Sequence, residues 1–172
     1  KQGVSGRFVY VQDCDAYDTE DESDLEPAAM LFATENTDRR GLGVALPDGG
    51  LTLYEPTTAG DQLVAETRLR DYARGQDVEL AIDNSAQVFT ACGGVDGKGA
   101  DEEGKRWGQI HGFASNANPH PVTVRFRLGW SGEWRLSGVR GARVKDGQWI
   151  VEQRVAANSR QRFVWKVRRV AD

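Results

Sequence analysis

The chain has 172 residues, enough for one ordinary domain or two small sandwich domains sharing an interface. The formal charge is −4, hydrophobic residues make up 39%, and the 20 glycines exceed average usage, so many tight turns and short strands are expected rather than long helices. Apolar runs such as Ala28 to Ala33 fall far short of the roughly 20 residues of a spanning helix, so no membrane span is expected.

In chain order, Arg7 to Gln12 reads as the first strand, apolar on both faces through Phe8, Val9, Tyr10 and Val11. Asp13 to Glu26 follows with eight acids (Asp13, Asp15, Asp18, Glu20, Asp21, Glu22, Asp24, Glu26) and few apolar residues, and reads as a loop. Ala28 to Glu35 resumes strand character, and Asn36 to Gly43 carries turn chemistry. Pro47-Asp48-Gly49-Gly50 predicts a β-turn before the alternating strand Leu51 to Glu55. Gln62 to Arg70 also alternates; a helix over Asp61 to Ala73 competes, but the two-residue period is cleaner. Asp77 to Ile82 and Gln87 to Ala91 close the first half as two strands.

The glycine- and acid-rich stretch from Gly93 to Gly104 reads as the internal boundary. It divides the chain into an N-terminal β-sheet region over 1–92, a linker loop over 93–105 and an immunoglobulin-like half over 106–172. In that last part Arg106 to Ser115, Val122 to Leu128, Glu133 to Ser137, Gln148 to Val155 and Gln161 to Arg169 read as strands. Asn118-Pro119-His120-Pro121 and Lys145-Asp146-Gly147 supply the turns. The expected class is all-β, an antiparallel β-sandwich whose C-terminal half is immunoglobulin- or fibronectin-like.

From Arg125 to Arg169 twelve Lys or Arg stand against the acids Glu133, Asp146 and Glu152. The cations alternate with apolar residues, which suits the solvated face of a sheet, and no nucleic-acid partner is expected. Cys14 and Cys92 pair if the chain is exported and stay as two buried thiols otherwise.

Gly41-Leu42-Gly43-Val44-Ala45-Leu46-Pro47-Asp48-Gly49-Gly50-Leu51-Thr52-Leu53-Tyr54-Glu55 resembles a hallmark segment of one bacterial family. That family is the conserved domain of unknown function found at the C-terminus of mucoidy inhibitor A homologues. The likeness continues through Leu63 to Arg70 and through Gly75-Gln76-Asp77-Val78-Glu79-Leu80. It resumes at Ser115-Asn116-Ala117-Asn118-Pro119-His120-Pro121-Val122-Thr123-Val124 and again from Val155 to Val167. The resemblance covers residues 28–170 and implies a β-sandwich, bacterial origin and export, hence a secreted or periplasmic location. It carries no catalytic residue to transfer. The chain departs from the family's pattern in its glycine-rich stretch from Cys92 to Gly104. Its start at Lys1, without a methionine, reads as a mature or trimmed product.

Residues that could carry chemistry are few. His111 lies mid-strand and His120 between two prolines; no G-x-S-x-G elbow is present, so no catalytic residue is assigned and the chain is expected not to be an enzyme. Cys92-Gly93-Gly94-Val95-Asp96-Gly97-Lys98-Gly99 looks like a phosphate loop, but glycine and acids follow the lysine where Ser or Thr and a helix are needed. Asp13, Asp15, Asp18 and Asp21 are weak calcium-ligand candidates without EF-hand spacing. No cofactor is expected. Ligand-binding candidates are Trp130 on a glycine-flanked turn, Trp134 and His111. The expected role is a non-catalytic interaction or structural module of the bacterial cell envelope, binding another envelope protein or a glycan. The alternative is a carbohydrate-binding module or glycan-processing accessory using an exposed Trp.

Overall fold

The computed structural model describes residues 3–19, 22–95, 98–101 and 103–170. The chain is all-β, with one large mixed sheet and a smaller antiparallel one. The strands are β1 (Arg7–Asp13), β2 (Asp15–Thr19), β3 (Glu26–Glu35), β4 (Gly49–Thr57), β5 (Gly60–Leu69), β6 (Asp77–Gly94), β7 (Gly108–Asn116), β8 (Val122–Trp130), β9 (Trp134–Ser137), β10 (Arg143–Lys145), β11 (Gln148–Val155) and β12 (Ser159–Arg169). The large sheet runs in the order β10-β11-β8-β1-β3-β6-β7-β12-β9, with β2 paired beside β6, and β4-β5 form the small one. Among the described residues no helix is long and apolar enough to cross a membrane.

Two compact units form, one from Lys1–Val9 and Ala29–Asn84, the other from Tyr10–Ala28 and Ser85–Asp172. In the first unit, Tyr72, Val78 and Leu80 make a small core against Phe32, Leu46, Leu51, Leu69 and Ile82. Asn36 is its polar pivot. The buried amide donates to the carbonyls of Val44 and Ala73 and accepts from the backbone N–H of Gly43. Those three backbone groups lie outside the strands, and the amide satisfies them. Asp48, after the Pro47 turn, pairs with Arg68 across the hairpin, and the guanidinium lowers its carboxyl pKa.

In the second unit, alternation places Phe126 of β8 against Phe163 and Trp165 of β12, with centroids 5.6 and 5.0 Å away. Gly112 of β7 lies between these layers; a Cβ there would come within 2.8 Å of both Trp165 and Phe126. Val88, Ile110, Leu128, Ile150, Val151, Val155 and Val167 complete the core. Asn116 closes one end, donating to the carbonyls of His120 and Ala156 and accepting from Asn118.

The structure corrects four expectations. The sheet is mixed, because β1 runs parallel to β8 (Tyr10 opposite Val124) and β2 parallel to β6. Parallel neighbours come from long connections, and no local turn signal announces them. The acidic stretch after Asp13 is not wholly a loop: it holds β2 and a short 3-10 turn, Glu22–Asp24. Asp77 to Ile82 and Gln87 to Ala91 belong to one 18-residue strand, β6. β10, three residues at the sheet edge, was not anticipated.

Candidate binding face

β7 is buried on both faces, so its outward side chains, His111 and Phe113, lie under other groups. The register sets Val164 opposite His111 and Arg162 opposite Phe113. Arg162 Nη2 lies 2.7 Å from Nδ1 and 2.9 Å from Nε2 of His111, and its guanidinium carbon sits 5.6 Å from the Phe113 ring centroid. A guanidinium only donates, so this contact needs the neutral imidazole. Burial, then the charges of Arg162 and Lys98, hold the His111 pKa below its ordinary value of 6.5. His111 is 8% exposed.

Beside this pair lies a shallow recess of about 130 Å³, lined by Glu22, Leu25, Phe113, Arg160 and Arg162 among others. The acidic segment reaches over it, and Glu22 Oε1 sits 3.5 Å from Arg160 Nη1. The Cys14–Cys92 disulfide ties the start of that segment to β6.

From the recess a row of cations extends along one face of β12. Side chains two apart in a strand share a face about 7 Å apart, so Arg160, Arg162, Val164, Lys166 and Arg168 line up. Val164 is 52% exposed in the middle of the row. At the far end Arg168 pairs in register with Arg135 of β9, like charge against like charge, which is unfavourable. Arg168 also packs over the half-exposed Trp107 ring at 5.0 Å, and its Nε is buried with no hydrogen-bond partner among the described residues.

The residues singled out from sequence fall elsewhere, apart from His111. Trp130 ends β8 and is 52% exposed; a Cβ on Gly147 would lie 3.0 Å from its ring, so the indole rests on the Asp146-Gly147 turn. Trp134 is 8% exposed, against Tyr17 and over Gly129, and its carbonyl accepts the Trp149 indole N–H at 2.8 Å. Asp13 pairs with Arg127, and Asp15 accepts the backbone N–H of Tyr17. The Asp18 side chain and Asp21 lie outside the described residues. Among the described residues no three His, Cys, Asp or Glu gather where they could hold a metal ion.

The sequence reading missed Arg160, Arg162, Lys166, Arg168, Arg135 and Trp107 as a group. The signal was cations at four of the five alternate positions from Arg160 to Arg168, with no acid among them; the pairing with Arg135 needs the strand register. No family model, no curated protein and no solved structure matches this chain.

Proposed function

We propose that the chain is a non-catalytic interaction module of the bacterial cell envelope, secreted or periplasmic, docking a partner on the cationic face of β12. The observation that carries this is the row Arg160, Arg162, Lys166 and Arg168 with Arg135 beside it. A fold gains nothing from opposing like charges, whereas a partner of opposite charge is steered and held by them. The Cys14–Cys92 bridge supports an oxidising compartment, and hence export. His111, the nearest thing to a general base, spends its lone pair on Arg162, which supports a role without catalysis. Membership of the family of domains at the C-terminus of mucoidy inhibitor A homologues belongs to the same proposal, as does an immunoglobulin- or fibronectin-like C-terminal half. The order of the segments from Gly41 to Val167 and the alternation of the last strands support them.

The test places a photo-reactive amino acid at Val164 in the full chain inside a producing cell. A discrete adduct that disappears with Lys166→Glu is expected; no adduct, or one indifferent to that change, contradicts the reading.

Trp130 favours a second reading, a carbohydrate-binding module or glycan-processing accessory. Its indole, backed by Gly147 and 52% exposed, forms a platform on which a sugar ring stacks. Tryptophan fluorescence titrated with a glycan panel should then change saturably in the wild type and not in Trp130→Ala; flat wild-type titrations remove it.

A further inference from the structure

Each face and edge of β12 has a different fate. One edge pairs with β7 from Ser159 to Val167. The other edge pairs with β9 only from Lys166 to Arg169, because β9 is four residues long. From Ser159 to Trp165 that second edge meets no strand among the described residues. Backbone N–H and C=O groups along such an edge are a ready template for an added strand. Natural proteins shield an exposed edge with charge, and here the charge is of one sign, with Arg160 and Arg162 inside the open stretch and Lys166 just past it.

We infer that the open edge of β12, Ser159 to Trp165, accepts an extended acidic peptide as an additional strand, in line with β9. This deepens the interaction-module reading and rests on it by naming the partner's chemistry. Two observations converge. The edge supplies main-chain donors and acceptors, which give affinity without regard to sequence. The cations on β12 recur at the two-residue period, about 7 Å, and an extended peptide presents its own alternate side chains at the same spacing. Acids at the first, second and fourth of these alternate positions on the incoming strand therefore meet Arg160, Arg162 and Lys166, with the third facing Val164. Glu22, already against Arg160, marks where a carboxylate from outside would sit. Trp107 under Arg168 gives the far end of the row an aromatic surface. A flexible polyanion without a peptide backbone matches the charge but not the edge, which is why a peptide is favoured over an acidic glycan.

The experiment titrates the full, oxidised chain with a synthetic peptide in which glutamate alternates with threonine, at low salt, followed by backbone amide NMR. Saturable binding is expected, with new hydrogen-exchange protection confined to amides between Ser159 and Trp165. Two changes should each weaken it more than tenfold: N-methylation of alternate peptide nitrogens, which removes main-chain donors, and the double variant Arg160→Glu with Lys166→Glu at exposed positions. A circular dichroism spectrum and melting curve like the parent's confirm that the double variant is folded. No binding, or equal binding of the N-methylated peptide, overturns strand addition. Equal binding by the folded double variant overturns the charge match. If the Val164 adduct forms in cells while the peptide fails, the interaction module stands and only strand addition falls.

Discussion

Two sets of arginines in the second unit come from the same sequence pattern and meet opposite fates. On β8, Arg125 is 3% exposed, and its Nε and Nη2 lie 3.0 and 2.8 Å from Glu152 Oε1 on the neighbouring β11. Arg143 of β10 reaches the same oxygen at 3.2 Å. On β12, Arg160, Arg162 and Lys166 face solvent, with Glu22 against the first of them, while Arg168, packed over Trp107, lies opposite Arg135 at the far end. A buried arginine without a carboxylate is costly, so the first set is neutralised by the sheet itself. An exposed one tolerates a missing counter-charge, so the second set can be left for a partner. Alternation decides which residues share a face; cross-strand register decides whether a charge has been answered.

Removing the Cys14–Cys92 bridge tests how the acidic segment is held near the row. The bridge spans 78 residues, and closing such a loop in the unfolded chain is worth about 4.5 kcal/mol. Urea unfolding of the Cys14→Ala, Cys92→Ala double variant should show a loss of that order. It should also show the amides around Glu22 exchanging faster.

Next in size, Glu152→Ala removes the carboxylate that accepts from the buried Arg125. A loss of about 3 kcal/mol is expected from the same urea measurement, at the low end for a broken buried pair because Arg143 and Glu152 are partly solvated. A loss below about 1 kcal/mol would place Arg125 with the exposed set and erase the contrast.

Smaller still is the effect of His111 on the cationic side. Its folded pKa is held below 6.5, so it contributes nothing to the pH dependence well above that value. As pH falls through 6.5 the unfolded chain takes up a proton that the folded chain resists, and stability is lost until the folded pKa is passed. The melting temperature of the wild type should therefore decline from pH 7 toward 5. That decline should be shallower in His111→Gln, which keeps a hydrogen-bond acceptor for Arg162. Equal declines would detach His111 from the account.

Much of the fold was legible in the residues. The end of β12 at Arg169 and the whole of β11, Gln148–Val155, follow from alternation, and β5 proved a strand despite its helical competitor. What escaped was non-local or contrary to composition. β1 lies beside β8 through pairing across more than a hundred residues, which no local period encodes. β2 forms from Asp15-Ala16-Tyr17-Asp18-Thr19, a sequence of low strand propensity, with Ala16 buried and the Cys14 bridge beside it. The candidate face was half visible. The row on β12 could be counted, but that β9 sets another arginine, and not a carboxylate, opposite its far end emerges only from the strand register.

In the folded chain Arg135 and the cations of β12 repel one another. The direct measurement is the urea midpoint of wild type and Arg135→Glu between low and high sodium chloride. The variant should be the more stable at low salt, by about 0.5 kcal/mol, and the gap should close as salt screens the charges. A variant less stable than wild type at low salt would mean that Arg135 already has its partner, and the face would lose its reason to bind one.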